Sequence, residues 1–205
     1  CSSDLPLSIG HCVVMPEFYE VERVLALIQR ERCVARSGFG AMYLMEIAHP
    51  RFREYDLSSL RAGWCIAPPE VMQRVSRETG IAKLVQIYGA TEGGGAAASV
   101  DDPEDKRLLS CGRVTEGMEL RIVDPESEAS CPPRTTGEIW LKGWWQMNGY
   151  LGQPEETRKV LREDGWLRSG DLGYLDEEGY LYFVGRLKNM LKVGGENVSA
   201  EIGRA

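Results

Sequence analysis

The spacing of apolar residues changes along the chain near residue 101, and this change limits the folds that the chain can adopt. From 17 to 32, apolar side chains recur every three or four residues, which predicts an amphipathic helix. After the polar, proline-containing segment 101–106, apolar and polar residues alternate, as they do around Ile122 and Ile139. The sequence therefore predicts an α/β class, with helices layered on a sheet first and mainly antiparallel strands afterwards.

Local signals place four further elements. Apolar residues within 71–75 predict a short helix that ends at Gly80. The apolar run 84–88 predicts one buried strand. Pro154 stands where the first residue of a helix is expected, and 176–179 has the composition of a hairpin turn.

Composition excludes several classes of protein. The 205 residues include 31 acidic and 24 basic side chains, a formal net charge of −7, and 43% are hydrophobic. A disordered acidic tail would be less apolar, and a nucleic-acid-binding protein would show clustered basic residues. No apolar run approaches the ~18 residues that a transmembrane helix requires.

The cysteines and histidines do not form a metal-binding pattern. Six cysteines and two histidines occur, and no two cysteines form a C-x-x-C pair. Cysteine is also too sparse for an extracellular disulfide framework in a chain of this length. Reduced thiols in the cytoplasm fit this usage best.

The segment from Tyr88 to Gly95 carries the clearest chemical signal. A predicted strand runs into a glycine-rich turn, whose backbone N–H groups could face an anion. Within it, Thr91 adds a hydroxyl donor and Glu92 a carboxylate suited to Mg²⁺. The same glycines also fit a flexible turn with no ligand. A dinucleotide fingerprint, Gly93-x-Gly95-x-x-Ala98, is formally present, but the polar segment after it leaves no room for a crossover helix.

Three features follow in the second half. Asp171 comes directly after a glycine and could accept hydrogen bonds from a ribose. Arg186 and Lys188 follow the last predicted strand, and 193–198 offers a second glycine turn. Taken singly, each also fits a turn residue or a solvated surface charge.

Five short motifs occur in one order along the chain: Tyr-Gly-Ala-Thr-Glu at 88–92, Thr-Gly-Glu-Ile at 136–139, Asn-Gly-Tyr at 148–150 with Pro154 and Thr157, Gly-Trp-Leu-Arg-Ser-Gly-Asp at 165–171, and Gly-Arg-Leu-Lys at 185–188 with Gly194 and Gly195. Together these motifs resemble the acyl-adenylate-forming enzymes. That superfamily contains acyl-CoA synthetases, adenylation domains of peptide synthetases and beetle-type luciferases. The stretch from Lys188 to Asn197 most resembles a medium- or long-chain fatty-acyl-CoA synthetase.

The resemblance implies a two-step reaction. A carboxylate, expected to be a fatty acid, and ATP give acyl-AMP and pyrophosphate, and the thiol of coenzyme A then displaces AMP. A carboxylic acid is already ionised at neutral pH, so the first step needs no catalytic histidine. It needs charge neutralisation at the α-phosphate, to which Mg²⁺ contributes, and in-line placement.

The resemblance also assigns roles around the first motif. Thr91 and Glu92 are the implied catalytic residues: Thr91 contacts the phosphates and Glu92 holds Mg²⁺. Tyr88 is implied to pack on adenine, and Gly89 and Ala90 to line the adenylate.

Later motifs supply the remaining roles. By resemblance, Asp171 binds both ribose hydroxyls and Arg186 lies nearby. Lys188 stands at the hinge about which a small C-terminal domain rotates, and Gly194 and Gly195 line the path of coenzyme A.

The chain is expected to be a fragment that is inactive alone. A phosphate loop and a late lysine found in such enzymes are absent from it, so its partners include the rest of its own parent chain. We expect residues 1–105 to belong to a large α/β domain, 106–185 to an antiparallel β subdomain, and 186–205 to the hinge and the start of a small C-terminal domain. Two alternatives remain: a peptide-synthetase or luciferase-like relative, and a non-catalytic remnant that acts only as a binding module.

Overall fold

The fold was obtained as a computed structural model that describes the backbone of residues 10–193 and 196–199 and the side chains of residues 10–188. The chain divides into two compact units, residues 1–84 and residues 85–205. The predicted boundaries at 105 and 185 concern domains of a longer parent chain, and they stay a prediction.

The first unit contains a parallel β–α–β arrangement. Its strands β1 and β2 pair in parallel and are connected through a helix, as parallel neighbours require. The sheet order is β1-β2-β3. In chain order the elements are α1 (Val21–Glu31), β1 (Ala35–Phe39), α2 (Gly40–Ile47), a 3₁₀ turn (Phe52–Glu54), β2 (Ala62–Ile66), α3 (Pro69–Thr79) and β3 (Lys83–Val85).

Both predicted helices of this unit are present. Helix α1 buries Leu25 and Ile28 on one stripe, but it begins at Val21 rather than at 17, and Phe18 lies outside it with 58% of its surface exposed. Helix α3 ends where predicted, because Gly80 adopts the left-handed conformation that terminates helices.

The predicted strand 84–88 is wrong as a single element. The structure forms β3 up to Val85 and a separate strand from Ile87, and the two belong to different sheets. Gln86, between them, accepts a backbone hydrogen bond from Ala98 at 3.0 Å. The chain changes partner strands at this residue, which an uninterrupted apolar run cannot reveal.

The second unit consists mainly of antiparallel strands. A small sheet has the order β4-β5-β6, a larger one the order β10-β9-β8-β7, and β11 pairs with β12. In chain order the elements are β4 (Ile87–Gly89), β5 (Gly94–Ala97), α4 (Glu104–Leu109), β6 (Arg113–Val114), β7 (Met118–Val123), β8 (Gly137–Gly143), α5 (Pro154–Val160), β9 (Leu167–Leu175), β10 (Leu181–Arg186), a 3₁₀ turn (Leu187–Asn189), β11 (Met190–Val193) and β12 (Glu196–Ser199).

The hydrophobic core of the second unit joins its two larger sheets. Alternate residues of the strands point inward, as the period of two predicts. The α/β class predicted from the sequence is confirmed. The buried members of the core are Tyr88, Ala96, Cys111, Met118, Ile122, Ile139, Leu141, Leu167 and Leu181.

Two further findings concern the described residues as a whole. The five cysteines among them are free thiols. None of the helices in the described part of the chain has the length and apolar character needed to cross a membrane.

The turn between β9 and β10 is organised by the buried carboxylate of Asp176. Its Oδ1 accepts the N–H groups of Glu178 and Tyr180 at 3.0 and 2.9 Å, and its Oδ2 accepts Lys106 Nζ at 2.6 Å. Burial raises the pKa of Asp176, but the hydrogen bonds from Lys106 and the two N–H groups outweigh it and leave the pKa below its ordinary value.

This turn predicts a pH-dependent stability. Because the pKa of Asp176 is lower in the folded chain, its ionised form stabilises the fold above the unfolded pKa near ~4, and this contribution is lost as the pH falls. We expect Asp176→Asn to lower the free energy of unfolding by ~2 kcal/mol at pH 7 and to flatten its decline below about pH 5. Denaturant unfolding at several pH values measures this. Asp105→Asn, an exposed neighbour of Lys106, is the control; an acid dependence as steep in Asp176→Asn as in the wild type would contradict the account.

Candidate functional site

A tight turn between β4 and β5 presents Thr91 and Glu92. Ala90 N–H donates to the carbonyl of Gly93 at 2.8 Å, and Gly93 N–H donates back to the carbonyl of Ala90 at 3.3 Å. Thr91 and Glu92 therefore stand at the tip of a closed hairpin, with Thr91 exposed and Glu92 half-buried.

Glu92 is held in place by a segment more than fifty residues further on. Met147 N–H donates to its carbonyl at 2.8 Å, and the hydroxyl of Tyr150 donates to its Oε1 at 2.9 Å. Tyr150 is fixed in turn, since its N–H donates to Thr157 Oγ1 at 2.9 Å. Burial, together with the bond to Glu92, raises the pKa of Tyr150, so its hydroxyl remains a donor. The sequence showed Tyr150 and Thr157 as motif residues but indicated no role for them.

The glycine run after the turn serves close packing. A Cβ atom on Gly94 would lie 2.9 Å from the ring of Trp145, and one on Gly95 would lie 2.8 Å from Leu141 Cδ2. Both glycines are buried in β5, which pairs antiparallel with β4. The dinucleotide fingerprint lies on a hairpin strand and not at the start of a crossover helix, in agreement with the sequence argument against it.

Asp171 lies in β9 and is almost fully buried, with 3% of its surface exposed. The hydroxyl of Tyr88 donates to its Oδ2 at 2.8 Å. Arg186, its partner in the register of β10, places Nε 2.8 Å from Oδ1. That contact is an ion pair without the angles of a hydrogen bond, so among the described residues Oδ1 has no hydrogen-bond donor. A buried carboxylate oxygen without a donor is uncommon, and it fits a ligand hydroxyl.

Burial shifts the pKa values of Asp171 and Tyr88. Burial raises the pKa of Asp171, although Tyr88 and Arg186 oppose the effect. Burial and the charge of Asp171 raise the pKa of Tyr88 well above its ordinary value, so its hydroxyl stays protonated. Perturbed titratable groups of this kind are typical of functional sites.

A cleft of about 680 Å³ in the second unit is lined by sequence neighbours of Asp171, although neither Asp171 nor Tyr88 lines it. Ala90 and Glu92 line it from the turn, Gly170 and Arg186 from β9 and β10, and Lys188 from the chain beyond β10. Its other charged lining residues are Glu138, Glu156, Lys159 and Arg168. A phosphate group placed in this partly open cleft would meet both lysines and both arginines, beside the carboxylates of the lining.

The structure brings most of the predicted site residues into one region. Tyr88, Asp171 and Arg186 are in direct contact, and Gly89 and Thr91 belong to the same hairpin as Ala90 and Glu92. Gly194 and Gly195 lie outside the described residues. No group of three or more potential metal ligands occurs within the described ranges 10–193 and 196–199.

Comparison with known proteins decides the family. The model of the AMP-binding enzyme family matches residues 5–151, more than half of the chain. The chain belongs to the AMP-binding enzymes. This membership confirms the resemblance that the ordered motifs predicted.

Curated relatives of this AMP-binding chain are CoA ligases. It is 34% identical to 4-coumarate–CoA ligase-like 9 of Arabidopsis thaliana over 91% of its length and 34% of the relative's. It is 34% identical to 4-coumarate–CoA ligase 1 of Petroselinum crispum, over 94% and 37%, and 33% identical to the mitochondrial medium-chain acyl-CoA ligase ACSF2 of Bos taurus, over 88% and 30%. The chain thus spans about a third of the length of these relatives.

Solved structures agree with this placement. The amide bond synthetase McbA of Marinactinospora thermotolerans is 33% identical, with a TM-score of 0.82 over 96% of this chain and 40% of that one. ATP-bound MatB of Rhodopseudomonas palustris is 26% identical, with a TM-score of 0.86 over 98% and 40%. The fold of the AMP-binding chain is therefore that of adenylate-forming enzymes.

Proposed function

We propose that the chain carries the nucleotide-binding part of an ATP-dependent acyl-CoA ligase, an acid–thiol ligase that makes acyl-AMP and then acyl-CoA. The observation that carries the proposal is the buried carboxylate of Asp171, held by Tyr88 and Arg186, whose Oδ1 lacks a hydrogen-bond donor among the described residues. A ribose diol of ATP would supply the missing donors, which explains why a charged oxygen is kept in a desolvated place.

The turn residues would then face the rest of the nucleotide. Tyr88, Gly89 and Ala90 are proposed to line adenine and the adenylate, and the exposed hydroxyl of Thr91 to donate to a phosphate. The side chain of Tyr88 is buried and bonded to Asp171, so it would orient the ribose-binding carboxylate in addition to packing on the base.

Glu92 is the proposed ligand of Mg²⁺. Mg²⁺ typically binds one or two carboxylates together with substrate phosphates. Glu92 lines the cleft, and Tyr150 fixes its Oε1, so its orientation is set before a ligand arrives. The bound ion would neutralise charge developing on the phosphates.

Mg²⁺ dependence gives a test of this role. The wild-type chain is expected to bind ATP about tenfold more tightly with Mg²⁺ than without it, whereas Glu92→Gln should lose most of that difference, because a neutral amide is a poor ligand for Mg²⁺. Calorimetric titrations with and without Mg²⁺ measure the ratio, and the exposed Glu119→Gln is the matched control. A ratio unchanged in Glu92→Gln would assign the ion to another ligand.

The later steps belong to the whole parent protein. Coenzyme A is the proposed acceptor, with Lys188 at the hinge and Gly194 and Gly195 along its path. The proposed acid is a fatty acid, supported by the likeness to medium-chain acyl-CoA ligase ACSF2. The 4-coumarate–CoA ligases are equally similar, so a product assay of the parent with both acid classes tests the choice. Action in the cytoplasm is part of the proposal, although ACSF2 is named as mitochondrial.

An amine is a second candidate for the acceptor of the acyl group. The similarity to the amide bond synthetase McbA, 33% identical, favours an amine as an alternative to the thiol. Supplying the parent protein with coenzyme A or an amine after the acid and ATP distinguishes the two by product. A parent that forms no acyl-AMP would instead support the non-catalytic remnant.

A further inference from the structure

Asp171 lies in a bulge of the four-stranded sheet. In the register of β8 and β9, Glu138 pairs with Leu172 and Trp140 with Arg168, so three residues of β9, 169–171, face a single residue of β8. Bulges leave backbone groups out of the ladder and turn side chains to new directions, and they are frequent beside active sites. Gly170 takes the left-handed conformation at the bulge, with φ of 70°.

Two side chains replace the missing ladder bonds. Ser169 Oγ accepts the N–H of Asp171 at 3.0 Å and donates to the carbonyl of Ile139 at 2.6 Å. Glu138 Oε1 accepts the N–H of Gly170 at 3.2 Å. The backbone that carries Asp171 is therefore held by side chains from both strands.

Glu138 is itself rigidly held. Its side chain is 3% exposed, and its Oε2 accepts Trp140 Nε1 at 2.7 Å and Arg168 Nε at 3.2 Å. Trp140 is only 1% exposed, because the guanidinium groups of Arg121, Arg162 and Arg168 lie 4.7, 4.8 and 5.4 Å from its ring centre. One oxygen of the carboxylate is therefore bonded to Trp140 and Arg168, and the other to the backbone of the bulge at Gly170.

We propose that Glu138 is a positioning residue that aims Asp171 at the ribose of the nucleotide. Its Oε2 alone accepts from the buried N–H of Trp140 and from Arg168, so these contacts use only one oxygen of the carboxylate. Its bond to Gly170 N–H instead fixes the backbone next to Asp171. This inference rests on the proposed function, in which Asp171 binds the ribose hydroxyls.

The test compares the affinities of the chain for AMP and for 3′-deoxy-AMP by calorimetry. The ratio of the two dissociation constants measures how well Asp171 is oriented to bind the 3′-hydroxyl. General damage to the fold would instead lower both affinities together. Glu138→Gln removes one acceptor oxygen, so its single amide oxygen cannot serve both Gly170 and the donors Trp140 and Arg168. Ser169→Ala loosens the same bulge from the other strand, and Glu119→Gln, on an exposed carboxylate of β7, is the matched control.

We expect the wild type and Glu119→Gln to prefer AMP by about tenfold or more, as a hydrogen bond to a charged group allows. Glu138→Gln and Ser169→Ala should reduce the preference to about threefold or less. If Glu138→Gln fails to fold, Glu138→Asp, whose carboxylate is one methylene shorter, replaces it in the same comparison. Loss of both affinities in equal proportion would overturn the positioning role.

Two further outcomes separate this inference from the function on which it rests. If Asp171→Asn loses the preference and both Glu138→Gln and Ser169→Ala retain it, the nucleotide site stands and the positioning role is overturned. If the wild type binds AMP and 3′-deoxy-AMP equally or binds neither, the ribose role of Asp171 fails, and the positioning role fails with it.

Discussion

Asp171→Asn is expected to lower the affinity of the chain for AMP on the order of 100-fold. Its carboxylate is the proposed acceptor for both ribose hydroxyls, and each hydrogen bond to a charged group contributes roughly 1.5–3 kcal/mol, with incomplete additivity. Calorimetry of the wild type and the variant measures the change. Tyr88→Phe, which removes only the donor to Oδ2, should cost less than about tenfold and serves as the graded comparison.

The same substitution should leave the fold intact. Burial raises the pKa of Asp171, so its ionised form is less favourable in the folded chain than in the unfolded one. Stability from this group is present at low pH and lost as the pH rises through its folded pKa, which makes the charge a cost at neutral pH. The free energy of unfolding of Asp171→Asn at pH 7 is therefore expected to equal or exceed that of the wild type. A folded variant with wild-type AMP affinity would remove Asp171 from the site.

Of the substitutions proposed here, Gly112→Ala should lower the free energy of unfolding the most. A Cβ atom there would lie 1.9 Å from the carbonyl carbon of Ala97 and 2.0 Å from the nitrogen of Ala98, and Gly112 has φ of 82°. Backbone atoms cannot yield as a flexible side chain can, so we expect a destabilisation of more than ~4 kcal/mol or no folded second unit.

Gly179→Ala is the matched control for that change. Gly179 has nearly the same backbone conformation, with φ of 80°, but no atom lies within 4 Å of the added Cβ. It should cost only ~1 kcal/mol, the strain of a left-handed alanine. Chemical denaturation followed by circular dichroism compares the two. Equal losses in both variants would show that the close approach of Gly112 to β5 does not decide stability.

The alternation of apolar and polar residues predicted where strands form better than it predicted which side chains contact each other. The alternation around Ile122 and Ile139 predicted strands with one buried face, and both side chains are buried in β7 and β8. The same alternation places Trp140 on the outer face, yet it is 1% exposed, because arginines from other segments cover it. Burial of this kind depends on long-range cation–π contacts, which a local pattern does not contain.

In the candidate site, too, the sequence indicated residues but not the contacts between them. The sequence motifs were sufficient to single out Tyr88, Glu92 and Asp171 as candidate site residues. The hydrogen bond that joins Tyr88 to Asp171 spans 83 residues, and the support of Glu92 by Tyr150 spans 58. Such contacts follow from the strand register and bulges of the fold, so the sequence could indicate the groups but not their mutual orientation.

Binding of ATP with Mg²⁺ to this chain, measured by calorimetry beside a Glu92→Ala, Asp171→Ala double variant, tests the central claim most directly. The account predicts that the wild-type chain binds the nucleotide and that the folded double variant does not. Equal binding by both proteins, or no binding by the wild type, would contradict a nucleotide site built on the turn of Glu92 and the bulge of Asp171.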